Sequence, residues 1–183
     1  MTAKAHIVDN DFPIVIVGTG FSGIAMAVML QRAGISSYTW LEKAQDIGGT
    51  WRDNTYPGAA CDVPSHLYSF SFEPKTDWSR AFSPQQEIKS YLDHCVDKYH
   101  IREKIRFGCE VTGAKFDATQ GLWTVNFKEK GRNKKLVARA FILGNGALST
   151  PADPDIKGIK DFKGDMFHSA RWNHDVDLTG KKV

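Results

Sequence analysis

Three glycines and a carboxylate near the start of the chain have the types and spacing that could bind a nucleotide. The stretch Gly18-Thr19-Gly20-Phe21-Ser22-Gly23 has G-x-G-x-x-G spacing, and Glu42 follows it further along the chain. In this pattern the first glycine permits a tight turn, the second lets the backbone approach a pyrophosphate, and the third allows close helix–strand packing. A carboxylate such as Glu42 can accept hydrogen bonds from ribose hydroxyls. These residues predict dinucleotide binding.

The segments around the glycines predict the elements that must position them. Residues Ile14–Val17 are apolar and indicate a buried parallel strand, and the apolar segment after Gly23 predicts a helix that ends at Gly34. A second strand is predicted over 37–41, which places Glu42 at its end. The helix start would offer free N–H groups to phosphates. The alternative, a glycine-rich turn with an unrelated surface glutamate, is less favoured because all elements occur in the required order.

A long, mostly irregular stretch is predicted over residues 43–82. Loops of this length inside a domain are usually functional or disordered, and the abundance of aromatic residues disfavours disorder. The stretch also contains Gly48-Gly49-Thr50-Trp51 and a second glycine- and proline-containing loop over 58–64. We predict that it surrounds a flat aromatic ligand. Its aromatic residues include Trp51, Tyr56, Tyr68, Phe70, Phe72 and Trp78.

The second half of the chain predicts one helix and then mostly strands. Ser83-Pro84-Gln85-Gln86 is typical of a helix start, with the serine as cap and the proline in the first position. Short strands are predicted over 105–107 and 141–143, with a small antiparallel meander between them. Its strands are predicted over 111–116, 122–127 and 136–138, with turns at 119–121 and 131–133. Gly144-Asn145-Gly146 would let the backbone pass close to a cofactor.

Composition excludes several functional classes. The 183 residues are 42% hydrophobic and 25% charged with a net charge of +3, which is ordinary for a globular protein. The basic residues are scattered or lie in a predicted hairpin turn, so nucleic-acid binding is disfavoured. The three cysteines show no C-x-x-C spacing, so neither a zinc site nor a disulfide framework is expected. No signal peptide or transmembrane segment is evident, and we expect a cytoplasmic protein.

Taken together, these motifs resemble the N-terminal part of the class B flavoprotein monooxygenases, which comprise Baeyer–Villiger monooxygenases and flavin-containing monooxygenases. The most discriminating element is the segment 162–172, which matches the pattern F-x-G-x-x-x-H-x-x-x-W of the Baeyer–Villiger enzymes. Asn173 stands where that pattern normally has Pro or Asp. An N- or S-oxygenating flavin-containing monooxygenase is therefore the alternative, as is a truncated, non-catalytic nucleotide-binding module.

The resemblance implies a Rossmann-like, glutathione-reductase-like α/β fold with a parallel sheet and a small antiparallel meander. It implies tightly bound FAD, NADPH as hydride donor, and insertion of one oxygen atom of O2 into a ketone through a C4a-peroxyflavin. A soft nucleophile would be the substrate in the alternative. Residues 1–12 are expected to form a flexible arm, 13–150 the FAD-binding domain, and 151–183 a linker toward an NADPH domain. No second glycine fingerprint and no counterpart of the family's catalytic arginine occur, so we expect a fragment that is inactive alone.

The resemblance also implies roles for individual residues. The FAD-binding set is Gly18, Gly20, Phe21, Ser22, Gly23, Glu42, Lys43, Gly49, Thr50, Trp51, Asp62, Val63, Tyr68 and Val111. The residues near NADP are Ala60, Cys61 and Asp62. Asp62 would support catalysis by orienting the cofactors, whereas from the residues alone a loop-capping aspartate is favoured. Cys61 has no nucleophilic role. The fingerprint residues Phe162, Gly164, His168 and Trp172 act in a hinge rather than as acid or base.

Overall fold

A computed structural model describes residues 13–183, so the predicted N-terminal arm over 1–12 lies outside the described residues. The described part contains seven strands and three α-helices. The strands are β1 (Ile14–Val17), β2 (Tyr38–Leu41), β3 (Ile105–Arg106), β4 (Cys109–Asp117), β5 (Leu122–Glu129), β6 (Arg132–Ala138) and β7 (Ala140–Leu143). The helices are α1 (Phe21–Arg32), α2 (Thr50–Asp53) and α3 (Gln85–Lys98).

A parallel sheet with strand order β3-β2-β1-β7 forms the centre of the fold. Successive side chains of a strand point to opposite faces of the sheet, so neighbouring residues pack against different elements. Ile16 and Trp40 pack with residues of α1 and α3 such as Leu92. Val15 and Leu41 pack instead with residues of the antiparallel sheet. The parallel sheet therefore lies between a helical layer and the second sheet, and the predicted Rossmann-like α/β class is confirmed.

The antiparallel sheet has strand order β4-β5-β6, as the predicted meander requires. Its strands are longer than predicted, and Arg132 and Asn133 belong to β6 rather than to the turn. The turn between β5 and β6 consists of Lys130 and Gly131, which have φ values of 50° and 75°. A two-residue turn with both φ values positive matches the twist of a hairpin, so the chain reverses earlier than the sequence suggested.

Helix α3 begins differently from the sequence prediction. Pro84, rather than Ser83, occupies the cap position, and its carbonyl accepts a hydrogen bond from the N–H of Ile88. The Ser83 hydroxyl is buried and pairs with the Ser65 hydroxyl at 2.6 Å. Ser83 therefore links the helix start to the preceding loop instead of capping the helix.

Residues 151–183 contain no α-helix or strand, and their regular structure is limited to 3-10 turns at Ile159–Asp161 and Ser169–Arg171. The end of this segment contacts the stretch after α2. The Trp172 ring lies 6.4 Å from the Tyr56 ring, and the Thr55 hydroxyl is 2.8 Å from His174 Nε2. Of the helices between residues 13 and 183, none has the length and hydrophobicity needed to span a membrane.

Candidate nucleotide-binding site

The glycine turn, residues 18–23, joins β1 to α1 and is packed too tightly to accept side chains at two of its glycines. A Cβ at Gly23 would lie 1.9 Å from the Gly18 carbonyl oxygen. Gly18 has a φ of +89°, and a Cβ there would lie 2.5 Å from the carbonyl oxygen of Gly144. A Cβ at Gly144 would in turn lie 2.9 Å from the carbonyl oxygen of Val17. The missing side chain of Gly144 therefore makes room for the glycine turn, and the predicted approach of the 144–146 backbone to a cofactor stays a prediction.

Gly20 differs from these glycines because no heavy atom lies within 4 Å of a Cβ built on it. It caps α1, and its carbonyl accepts the N–H of Ile24 at 3.1 Å. The first N–H groups of an α-helix lack intrahelical acceptors and carry a partial positive charge. The first turn of α1 has no acidic residue, and Ser22 is exposed. The open space beside Gly20 and these N–H groups fit a phosphate group.

Glu42 lies at the end of β2 and is only 4% exposed. One carboxylate oxygen, Oε2, accepts the backbone N–H of Thr19 at 3.0 Å and its hydroxyl at 2.7 Å. The other oxygen, Oε1, accepts the N–H of Ala44 at 2.8 Å. Thr19 is completely buried, and sequence reasoning missed it because the pattern G-x-G-x-x-G leaves its position undefined. The carboxylate predicted to bind ribose is thus hydrogen-bonded directly to the glycine turn.

Arg52 of α2 is a second residue in contact with Glu42 that the sequence did not indicate. Its Nη1 lies 3.3 Å from Glu42 Oε1 and 2.8 Å from the Asp46 carbonyl oxygen. Its Nε and Nη2 donate to the two carboxylate oxygens of Asp53 at 2.8 and 3.0 Å. Burial opposes the positive charge, but the Asp53 hydrogen bonds and the Glu42 carboxylate raise the pKa of Arg52 above its ordinary value. A charged guanidinium therefore compensates the buried carboxylate.

The second glycine-rich loop lies directly against the glycine turn. The Gly48 N–H donates to the Thr19 carbonyl oxygen at 2.9 Å. A Cβ built on Gly49 would lie 3.4 Å from the Gly20 Cα, and Thr50 begins α2 immediately afterwards. The structure therefore brings Gly20, Gly49 and Thr50 together, although they are far apart in the sequence.

Phe21, Trp51 and Tyr68 form an aromatic cluster beside these loops. The Trp51 Nε1–H donates to the Tyr68 hydroxyl at 2.9 Å. The Phe21 and Tyr68 rings meet edge to face with centroids 4.9 Å apart. Burial raises the pKa of Tyr68; the Trp51 hydrogen bond opposes that rise, while Cys61 and Asp62 add to it. The phenol therefore remains protonated at neutral pH.

The loop that contains Asp62 is fixed to the start of α3. The Cys61 N–H donates to the Ser83 carbonyl at 2.9 Å, and the Gln85 N–H donates to the Ala59 carbonyl at 2.9 Å. Cys61 is buried, and its Sγ accepts the N–H of Val63 at 3.4 Å. Ala60, Asp62 and Val63 are exposed. The loop thus presents an accessible carboxylate near Tyr68, while the Cys61 thiol is withdrawn from solvent.

Other predicted site residues lie outside this arrangement. The exposed Lys43 ammonium donates to the Ser149 carbonyl at 2.9 Å. Val111 belongs to β4 and packs against the core between the two sheets. Two further contacts involve fingerprint residues. The Phe162 ring covers Gly164, and the His168 Nδ1 accepts the Ala170 N–H at 3.0 Å.

Comparison with known proteins shows what the chain is similar to. Residues 16–92 match the family model of NAD(P)-binding Rossmann-like domains. The chain is 48% identical over 181 residues to a Baeyer–Villiger monooxygenase of Streptomyces coelicolor, covering 99% of this chain and 34% of that protein. It is 45% identical over 170 residues to a Baeyer–Villiger monooxygenase of Pseudomonas aeruginosa, covering 93% of this chain and 32% of that protein.

A solved structure is also similar to this chain. The crystal structure of OTEMO in complex with FAD and NADP matches with a TM-score of 0.78 at 34% sequence identity. The match covers 91% of this chain and 31% of the OTEMO chain. The chain therefore spans about a third of the length of the relatives it matches.

Proposed function

We infer that the chain corresponds to the N-terminal part of the class B flavoprotein monooxygenases, the group of Baeyer–Villiger and flavin-containing monooxygenases, because it is 48% and 45% identical to two Baeyer–Villiger monooxygenases over about a third of their length. On this premise we propose that it is the FAD-binding portion of an NADPH-dependent enzyme that inserts one oxygen atom of O2 into a ketone. The observation that carries the proposal is the open space at Gly20, bordered by Gly49 and by the N-terminus of α1. Gly18 and Gly23, on either side of Gly20 in the turn, are tightly packed, so within this turn the open space is confined to Gly20.

The residues in this region fit different parts of FAD. The N–H groups at the start of α1, with Gly20 and Ser22, would bind the pyrophosphate. Glu42 would accept the hydroxyls of the adenosine ribose. Gly49 and Thr50 would lie along the ribityl chain, because they border Gly20. The open space at Gly20 and the N–H groups at the start of α1 suit an anionic group, and the Glu42 carboxylate suits a hydroxylated one.

The chemistry would divide between cofactor and protein. FAD, when bound, supplies the redox chemistry and the reaction with O2. Trp51 and Tyr68 would restrict access of water to the flavin, since their side chains are partly buried and hydrogen-bonded to each other. Asp62 would orient the flavin and the nicotinamide through its exposed carboxylate. Ala60 and Cys61, the remaining residues proposed near NADP, would fix the path of this loop.

The remaining residues have proposed roles at the borders of the site. Lys43 would contact the adenosine part of FAD from the end of β2, and Val111 would contact the adenine through its backbone. We also propose that residues 13–150 form the FAD-binding part and 151–183 a connection to an NADPH domain. The contacts of Trp172 and His174 with residues 55–56 support a coupling between this connection and the loop after α2.

A direct test is titration of the purified chain with FAD, monitored by flavin fluorescence and visible absorbance. We expect saturable binding of one FAD, with competition by ADP, because ADP carries the pyrophosphate and ribose. A chain that is correctly folded by circular dichroism but binds neither FAD nor ADP would contradict the proposal. In the longer polypeptide, NADPH- and O2-dependent conversion of a ketone to an ester or lactone tests the proposed reaction. Oxygenation of amines or sulfides, without action on ketones, would instead support the alternative.

A further inference from the structure

We propose that Arg52 is a positioning residue for the nucleotide site, which holds the Glu42 carboxylate in the orientation that binds the adenosine ribose. The inference rests on the proposed function, because it assigns a new residue to the same site. It starts from the contact of Arg52 Nη1 with Glu42 Oε1 at 3.3 Å. Both side chains are largely buried, with exposed fractions of 15% and 4%.

Glu42 needs a positively charged neighbour because an isolated carboxylate is costly to bury. The N–H groups of Thr19 and Ala44 donate hydrogen bonds to it but carry no full charge. Among the described residues, the only ion pair involving Glu42 is the one with Arg52. Removal of the guanidinium would therefore leave the buried carboxylate without charge compensation.

Arg52 is itself held by bonds that leave it little freedom. Two parallel hydrogen bonds join it to the Asp53 carboxylate, and a third joins it to the Asp46 carbonyl. Paired hydrogen bonds between guanidinium and carboxylate fix both distance and direction. A lysine could keep the charge but could not make this set of bonds simultaneously. The position of the charge beside Glu42 is therefore set by the planar guanidinium.

The opposite side of the carboxylate contains the group that a ribose hydroxyl could replace. Glu42 Oε2 accepts both the N–H and the hydroxyl of Thr19. The backbone N–H is fixed by the glycine turn, whereas a hydroxyl can rotate and can donate elsewhere. Because Thr19 and Glu42 are both buried, a ribose hydroxyl would reach Oε2 only after the Thr19 hydroxyl rotates away, while Arg52 and the two N–H groups hold the carboxylate. Arg52 would thus affect recognition of the ribose hydroxyls more than recognition of the phosphates.

The test compares ADP with 2′,3′-dideoxy-ADP, which lacks both ribose hydroxyls, by calorimetric titration of the full chain. We expect the wild-type chain to prefer ADP by about tenfold or more, because hydrogen bonds to a charged group have at least this effect. In Arg52→Met the preference should fall to about two- to threefold. The affinity for the dideoxy nucleotide should change much less than the affinity for ADP. Arg52→Lys should show an intermediate preference and keeps the inference testable if Arg52→Met does not fold.

Arg132→Met serves as the matched control, because Arg132 is an exposed arginine on β6 of the antiparallel sheet. It should retain the wild-type preference. If Arg52→Met weakened both nucleotides equally, or neither, the positioning role would be wrong, even though nucleotide binding itself remained. If the wild-type chain bound no ADP at all, the proposed function would fail together with the inference. The two failures are therefore distinguishable.

Discussion

The two glycines Gly20 and Gly23 belong to the same turn, but their replacement by alanine should have different consequences. A Cβ at Gly23 would lie 1.9 Å from the Gly18 carbonyl oxygen, whereas real Cβ atoms essentially never come closer than 3.0 Å to another heavy atom. The oxygen cannot move without losing its hydrogen bond from the buried Trp40 Nε1–H, which is 2.8 Å long. Gly20 has a φ of −79° and no neighbour within 4 Å of a Cβ.

The expected magnitudes follow from these contacts. Overpacking of a tight site costs about 1–3 kcal/mol, and an unpaired buried donor costs a further ~1–3 kcal/mol. We therefore expect Gly23→Ala to lower the free energy of unfolding by about 3 kcal/mol or more. For a protein of this size, 3 kcal/mol corresponds to a decrease in Tm of about 6–12 °C. Gly20→Ala should change the free energy of unfolding by no more than about 1 kcal/mol, since it alters only a helix cap.

The assay is thermal unfolding of both variants without nucleotide, followed by FAD titration at a temperature where each is folded. Gly20→Ala should keep the Tm nearly unchanged but weaken FAD binding, because the new methyl group occupies the open space beside α1. Gly113→Ala is the matched control, since Gly113 in β4 also has no neighbour within 4 Å and lies outside the site. Equal decreases in Tm for Gly20→Ala and Gly23→Ala, or an unchanged Tm for Gly23→Ala, would refute this reasoning.

Two further predictions concern stability away from the nucleotide site. Tyr91→Phe should lower the free energy of unfolding by about 2 kcal/mol and the Tm by about 4–8 °C. The reason is that the buried Tyr91 hydroxyl accepts a hydrogen bond from the Phe70 N–H and donates one to the Glu73 carbonyl. A Tm within about 1 °C of wild type, which is typical of a surface substitution, would contradict this. The hydrogen bond from Lys134, followed by those from Arg106 and Cys109, lowers the pKa of Glu129 from 4.5 to about 2. A lowered acid pKa stabilises the folded state above pH 4.5, and this contribution is lost as pH falls toward 2. Glu129→Gln should therefore show a shallower loss of stability than wild type in denaturant titrations over this interval, and an unchanged slope would contradict the assignment.

The sequence predicted the parts of the site that depend on local pattern. The order of β1, the glycine turn, α1 and β2 follows from apolar runs and glycine spacing, and these also placed Glu42 at the end of a strand. Only the resemblance to a known family placed Gly49 and Gly20 in the same binding site. No local signal relates the conformations of two loops that meet only after the sheet has formed.

Residues whose function depends on a tertiary neighbour were missed or misinterpreted. Thr19 and Arg52 gain importance only because folding brings both to Glu42. Gly144 lacks a side chain because the backbone of the glycine turn packs against it, a contact that no local pattern indicated. Ser83 has the sequence context of a helix cap, yet pairing with Ser65 outweighs that local preference. In each case the decisive partner is distant in the sequence, where patterns of spacing carry no information.

The most direct test of the central claim is a residue-resolved map of FAD binding by 1H–15N NMR of the chain. We expect FAD to shift the backbone amide signals of the glycine turn and of residues 48–51, with the largest changes at Gly20, Ser22 and Gly49. Amides of the surface cavity that includes Glu73, Thr76 and Ser90 should be unaffected and provide an internal control. Shifts confined to that cavity, or saturable FAD binding that leaves the glycine turn unperturbed, would contradict the account.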